Sequence, residues 1–381
     1  MKRPNPLWLI PVTTALLLLV PAAVSAAPLT APPILAPHGA GGAVFTMSNA
    51  VAGNHVIAYR IGTGGALLPA GSYTTHGLGS GVSLADQGAL VLTADHHWLL
   101  VVNAGSHSIS VFGVNLLASG PLLTFADQTH SRGQVPVSLT VHGSLVYVVN
   151  AGDSTRRGNI AGFQLGTSGE LTPLAGSRQP LSTPTPTGPA EISFNPSGSV
   201  LVVTEKNTNV IDTYVVNSGG LAQPPTVTPS IGTTPYGFAW GRGGTLIVSD
   251  AASGALSSYT VTSTGTVTGV SGPVGDNGTA ACWVAVAHGG AWAYTSNAHS
   301  NTISTYVVGT GGTLSLLSAV AATTGAADTD LAVGGSHGHY LFVYDAGAGE
   351  IEQFAIGSTG GLTLLSAVFS LPATAEGLAA F

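Results

Sequence analysis

The chain has 381 residues, of which only 7% are charged and 44% hydrophobic, with 53 glycines and a formal net charge of −7. Sixteen acidic residues stand against nine basic ones, which excludes a nucleic-acid surface, and the single cysteine, Cys282, excludes an internal disulfide. Abundant Gly, Ser and Thr without sustained helical periodicity exclude a helix-rich α/β enzyme and predict an all-β chain of short strands and tight turns.

Residues 1–26 read as a secretory signal: Lys2 and Arg3, an apolar run from Leu7 to Val20, then Val24-Ser25-Ala26 as a small-residue cleavage site. Cleavage there predicts a secreted, extracytoplasmic protein with no membrane span, and leaves seven basic residues against sixteen acidic ones. Residues 27–42 form a Pro- and Gly-rich segment that predicts a flexible lead into the folded domain, 43–381.

From residue 43 onward one phrase recurs seven times: an apolar strand ending on Asn, Asp or Glu, a polar Gly-rich turn, and a second strand. The terminal residues are Asn49, Asn103, Asn150, Glu205, Asp250, Asn297 and Asp345, spaced by 54, 47, 55, 45, 47 and 48 residues. That period is one four-stranded propeller blade. A further strand precedes each of the last six anchors, at Ala89–Leu92, Val137–Val141, Glu191–Phe194, Tyr236–Trp240, Cys282–Val286 and Thr329–Val333. The first anchor lacks one, so the C-terminal segment Glu376–Phe381 is predicted to supply it by pairing with the strand near 43–49. The fold class is therefore an all-β, seven-bladed β-propeller, its ring closed by the C-terminal strand on the N-terminal blade.

Antiparallel strand order sorts the loops between two faces. His96, His97, His142, His288, His337 and His339 fall in turns on one face, while His55, His107 and His299 fall with the anchors on the other. Six of the anchors suit a structural role, hydrogen-bonding the turn that follows them. Glu205 differs in length and precedes Lys206, the one lysine after the signal, with which it alternates across the strand. The Gly clusters at 62–65 and 309–312 recur in phase as turns, not as phosphate cradles. No Gly-x-Ser-x-Gly strand-turn-helix is present, and the apolar setting of Cys282 keeps its thiol protonated. The Pro-rich segment from Arg178 to Pro189 is an extended loop that enters the anchor face before Glu191.

Gly188-Pro189-Ala190-Glu191-Ile192-Ser193-Phe194-Asn195-Pro196-Ser197-Gly198, running into Val203-Thr204-Glu205-Lys206-Asn207, resembles the lactonase-like seven-bladed propellers, which include bacterial 6-phosphogluconolactonases and fungal carboxymuconate cyclases. The resemblance implies a site at the anchor-face end of the central channel, built from a His, two Arg and a Glu. Glu205 matches the Glu. The first Arg position is Ala190, the second is Ala298, and the early His falls in Val135-Pro136-Val137-Ser138, where no imidazole stands. Without those cations an anionic lactone beside Glu205 would meet like charge, which disfavours phosphorylated or polycarboxylate substrates on the axis. Arg156 and Arg157, in a longer loop on the anchor face, read first as solvated loop charges; replacement of the lost cations is the alternative that makes them candidates.

The resemblance and the residues together name Glu205, with Glu191 as partner, as catalytic candidates in hydrolysis or isomerisation of a neutral or weakly charged lactone. Asn150, Arg156, Arg157, Tyr236, Asp328 and Asp330 are the substrate-contacting candidates. Glu191, Glu205, Asp328, Asp330 and Glu376 could instead hold a hard cation such as Ca²⁺ in the channel, or cap backbone N–H groups at strand starts. The alternative function is a non-catalytic propeller that binds a sugar-derived ligand or an extracytoplasmic protein.

Overall fold

The structure is a computed structural model and describes residues 42–116, 120–184, 186–335 and 338–381. The signal segment, most of the Pro- and Gly-rich lead, and His337 lie outside the described residues. The described residues form strands joined by turns and loops, with no α-helix among them, and the strands make seven small antiparallel sheets. Blade 1 contains β1 (Ala43–Met47), β2 (His55–Ile61) and β3 (Leu67–Thr74). Blade 2 is β4 (Leu90–Leu92), β5 (Trp98–Asn103), β6 (Ser108–Val114) and β7 (Leu123–His130). Blade 3 is β8 (Pro136–His142), β9 (Leu145–Asn150), β10 (Asn159–Leu165), β11 (Leu171–Pro173) and the two-residue β12 (Gln179–Pro180), which pairs with β10 beyond the end of β11. Blade 4 is β13 (Pro189–Phe194), β14 (Val200–Glu205), β15 (Val210–Val215) and β16 (Thr226–Pro229). Blade 5 is β17 (Pro235–Trp240), β18 (Leu246–Asp250), β19 (Ala255–Val261) and β20 (Val267–Gly275). Blade 6 is β21 (Ala281–Ala287), β22 (Trp292–Asn297), β23 (Thr302–Val308) and β24 (Leu314–Thr323). Blade 7 is β25 (Asp328–Gly334), β26 (Tyr340–Asp345), β27 (Glu350–Ile356) and β28 (Leu362–Val368). The last strand, β29 (Glu376–Ala380), returns to blade 1 and pairs with β1, with Val44 opposite Ala380 and Phe45 opposite Ala379. Ring closure is as the repeat phase predicts. The inner strands contact one another in the order β29, β4, β8, β13, β17, β21, β25 and back to β29.

The second strand of each blade is buried on both faces, and its residues read as apolar runs such as Leu99–Val102 and Val200–Val203. Large side chains then tie blade to blade. Tyr147 donates its hydroxyl to Gly220 O at 2.7 Å, Tyr294 to Gly360 O at 3.1 Å and Tyr306 to Val274 O at 3.0 Å. Each ring lies in the apolar layer between two sheets, and each hydroxyl reaches a backbone acceptor in the neighbouring blade.

A bulge recurs near the start of the inner strands. In blades 3, 4, 6 and 7 the register shifts between Pro136 and Ser138, Pro189 and Glu191, Ala281 and Trp283, and Asp328 and Asp330. A bulge places two residues opposite one and inverts the side-chain alternation beyond it. Residues two apart, which a regular strand would point the same way, are thereby separated.

Candidate functional site

Each anchor closes the outer part of its own blade. In the antiparallel register the anchor stands opposite the residue five positions later, and the residue seven positions later is the next on the same face. Asn103 donates to Ser110 Oγ and Asn297 to Ser304 Oγ, both at 2.8 Å, and Ser257 donates to Asp250. In blade 4 the same two places hold Glu205 and Asp212. Burial, followed by the adjacent Glu205 charge, raises Asp212 to about 8. Glycine of the entering segment covers the anchor. A Cβ on Gly133, Gly232 or Gly278 would stand 2.4, 1.9 or 2.4 Å from Asn150, Asp250 or Asn297. That recurring glycine is a sequence signal for a sealed anchor.

Glu205 is fully buried, accepting hydrogen bonds from Ser182 N at 2.9 Å, from Ser182 Oγ and from Thr208 Oγ1 at 2.5 Å. Lys206, on the other side of the strand, runs to the axis, where it donates to Ala85 O and lies 4.7 Å from the centre of the Tyr236 ring. Strand alternation thus separates the two as the sequence predicts.

The anchor-face end of the axis is occupied by the chain itself. Residues 84–88, which lead into β4, cross it and are held from several blades. Leu84 N donates to Glu376 Oε1 at 3.0 Å, Trp283 Nε1 to Asp86 O at 2.7 Å, and Gln87 N to Ala190 O at 2.9 Å. The Gln87 amide bridges blades 5 and 6, donating to Val284 O at 2.9 Å and Phe238 O at 3.3 Å while accepting from Val284 N at 2.9 Å. Gly237 makes room for it, since a Cβ there would lie 2.1 Å from Gln87 Oε1. Gln87→Ala should destabilise the chain by about 2 kcal/mol, because it strands a backbone N–H and two carbonyls on the axis. Urea unfolding checks this; a variant as stable as the parent would show that the segment is loosely held.

Around this segment stand Asp86, Glu191, Asp330, Glu376 and Lys206. Glu191 accepts from Phe238 N at 2.6 Å, and Asp330 from Leu331 N and Leu378 N, both at 2.7 Å. All four carboxyls are buried; Glu191 and Asp330 cap inner-strand backbone, Glu376 holds Leu84 N, and neither oxygen of Asp86 has a hydrogen-bond partner among the described residues. Burial pushes Asp86, Glu191 and Asp330 well above the usual carboxylate range, and Glu376 and Asp330 push Asp86 further by repulsion. Burial lowers Lys206 to about 8, against the pull of Asp86. Tyr236 is buried beneath Lys206 and packs edge-on against Trp283, ring centres 5.1 Å apart. Cys282 is buried, which pushes its thiol up to about 12. The bulge places Asp328 away from Asp330: Asp328 pairs with Asp345 and accepts from Thr324 Oγ1 at 2.7 Å. Glu191, Glu205, Asp328 and Asp330 therefore do not converge on one water-filled pocket.

An open concave surface lies away from the axis. A cavity of 630 Å³ at blade 3 is lined by His130, Arg132, Gln134, Arg156, Arg157 and Arg178, with Gly133, Gly158 and Asn159 among its other walls. Four of the six arginines that follow the signal meet here. Arg132 comes from the segment entering blade 3, Arg156 and Arg157 from the long loop between β9 and β10, and Arg178 from the residue before β12. Arg157 is fixed by donating to Thr183 O at 3.0 Å and to Leu181 O. His130 Nδ1 accepts from Arg132 N at 2.9 Å, which leaves Nε2 as the donor. Partial burial and then the nearby cationic side chains lower its pKa, so the ring is neutral at pH 7. Asn150 lies under the floor, packed against Gly133 and donating to Ser131 O at 3.2 Å and Asn159 Oδ1 at 3.2 Å. The sequence reading names Arg156, Arg157 and Asn150 here but misses Arg132, Arg178 and His130.

No protein-family model and no curated protein sequence matches the chain. Solved structures do. A protein from Lactobacillus plantarum superposes with a TM-score of 0.72 at 17% identity, covering 90% of this chain and 99% of its own. The periplasmic gluconolactonase of Pseudomonas aeruginosa gives 0.68 at 16% identity, covering 89% and 98%. A Bacteroides fragilis protein provisionally assigned as a 6-phosphogluconolactonase gives 0.68 at 18%, covering 90% and 98%. The class is thus a seven-bladed β-propeller, closed by its C-terminal strand. Among propellers, its fold is similar to that of the periplasmic gluconolactonase and the other structures just named.

Proposed function

We propose that this is an extracytoplasmic lactonase-like propeller whose ligand is a small carboxylate- or phosphate-bearing sugar lactone, or the acid derived from it, bound in the arginine cavity of blade 3. The convergence of Arg132, Arg156, Arg157 and Arg178 on one cavity of an otherwise acidic chain carries this reading. Guanidinium groups match carboxylate and phosphate geometry, and neutral His130 adds a ring N–H donor. The bias against anionic ligands belongs to the axis, where carboxylates outnumber the one lysine, and does not extend to blade 3. The cavity lining has no carboxylate, and His130 presents a donor rather than a base, so the geometry supports binding ahead of turnover.

Titration calorimetry with 6-phosphogluconate and gluconate tests this. The phosphorylated acid is expected to bind more tightly and to weaken with salt, and the double variant Arg156→Glu, Arg178→Glu should lower its affinity about a hundredfold. Unchanged binding in that variant, or none in the parent, overturns the reading. Hydrolysis of a lactone on the axis is the second reading, and likeness of fold to the gluconolactonases favours it. It requires residues 84–88 to withdraw and Glu205 to release the bonds from Ser182 and Thr208. Turnover of glucono-lactone that disappears in Glu205→Gln would establish it.

A further inference from the structure

We propose that blade 7 holds a Ca²⁺ ion between Asp345, Glu350 and Glu352, with Asp328 bordering the site. The observation that leads there is a comparison of the molecule with itself. The places taken in blade 2 by Asn103, Ser108 and Ser110, and in blade 6 by Asn297, Thr302 and Ser304, are taken in blade 7 by Asp345, Glu350 and Glu352. The inner-strand residue opposite the anchor is Pro136, Pro189, Pro235 or Ala281 in blades 3 to 6, and Asp328 in blade 7. Neutral hydroxyl and amide groups that bond one another in blades 2 and 6 are here replaced, together, by carboxylates on one face of three adjacent strands.

Those carboxylates are not satisfied by the protein. All four residues are at most 8% exposed, and Asp345 Oδ1, Glu352 Oε2 and Asp328 Oδ2 are buried without a hydrogen-bond partner. None of the four takes part in an ion pair among the described residues. One oxygen each from Asp345, Glu350 and Glu352 lies within 4.8 Å of the others, the span that ligands on opposite sides of a Ca²⁺ at about 2.4 Å would have. The entering segment closes over them: Gly325 N donates to Asp345 Oδ2 at 3.3 Å, and a Cβ at Gly325 would stand 2.6 Å from Glu350 Oε1. An oxygen-only donor set of this charge selects a hard divalent cation, and the spread of the donors suits Ca²⁺ better than the tighter octahedron of Mg²⁺. The site is on blade 7, separate from the axis and from the arginine cavity, and does not depend on the ligand proposed for blade 3.

Calorimetry and thermal melting of the chelator-treated protein at pH 8, titrated with Ca²⁺ and separately with Mg²⁺, test the assignment. One Ca²⁺ per chain is expected, with a rise in Tm that Mg²⁺ does not match. Asp345→Asn and Glu352→Gln should each weaken Ca²⁺ binding about tenfold or more. No heat and no Tm response from the parent at millimolar Ca²⁺ would mean that protons alone hold the cluster, and would overturn the proposal without needing any variant to fold. Binding that survives Asp345→Asn but is lost in Asp330→Asn would move the ion to the axis and overturn it equally.

Discussion

Removing Glu376–Phe381 is expected to prevent folding altogether. The segment contributes the whole of β29, so its loss leaves blade 1 with three strands and exposes β1, whose Ala43, Val44, Phe45 and Met47 are fully buried. The loss reaches beyond that sheet. Leu378 N is a partner of Asp330, and Glu376 Oε1 receives Leu84 N, so both the seam with blade 7 and the segment across the axis come undone. Phe381 stacks on Phe45 at 6.3 Å and on His96 at 4.5 Å, closing the bottom of the same seam. Burial and hydrogen bonds on this scale amount to several kcal/mol, as much as a domain usually has to spare. An unpaired apolar edge also invites aggregation. The truncated chain should be insoluble or lack near-ultraviolet dichroism, while Gly377→Ala, at φ +73° with a Cβ only 2.3 Å from Leu90, should fold with a lowered Tm. A truncated protein that melts like the full chain would show that the ring does not depend on this strand.

How much of this the sequence discloses depends on the range of the interaction. The anchors, their period and the inner strands are local patterns, and the strands fall within a residue or two of their predicted limits. The missing inner strand follows by counting, because a ring leaves one place for it. The bulges are different. Period-2 reasoning puts Asp328 and Asp330 on one face, and nothing in their immediate sequence announces the shift that sends one to Asp345 and the other to Leu378. The segment across the axis is equally hidden: Ser83-Leu84-Ala85-Asp86-Gln87 reads as an ordinary loop until Phe238 and Val284 supply its partners. Arg132 and Arg178 lie far in sequence from Arg156, and they meet because the entry to blade 3 and the short β12 flank the same loop. The blade 7 carboxylates, by contrast, were legible in principle. Aligning the anchor phrases by their +5 and +7 positions brings out Glu350 and Glu352 at once.

Stability should fall as pH rises from 5 to 9 in the presence of chelator, the reverse of most proteins that rely on surface carboxylates. Burial is the leading cause of every shift involved: Glu376 and Asp250 are raised to about 7 and Asp212 to about 8, with Asp86, Glu191 and Asp330 also raised. In the unfolded chain these groups lose their protons near pH 4. Between that value and the folded one, the native state holds protons that the unfolded state has released. Unfolding then releases protons, and the stabilisation, complete below pH 4, is lost as pH climbs through 7 and 8. Each retained proton contributes a slope of about 1.4 kcal/mol per pH unit, so two of them near neutrality give about 3. Lys206 acts oppositely only above its lowered value of about 8, where the folded state has given up a proton that the unfolded chain keeps. Tm measured at pH 5, 7 and 9 should therefore decline, most steeply between 5 and 7, and less steeply once Glu376 and Asp250, then Asp212, ionise in the folded state. The Asp212→Asn variant should flatten part of the decline, since the amide can still meet Glu205 without a proton to lose. A Tm that rises over this range would mean that the axial and blade 4 carboxyls ionise freely, and with it would go the picture of a closed axis held by neutral acids and one lysine.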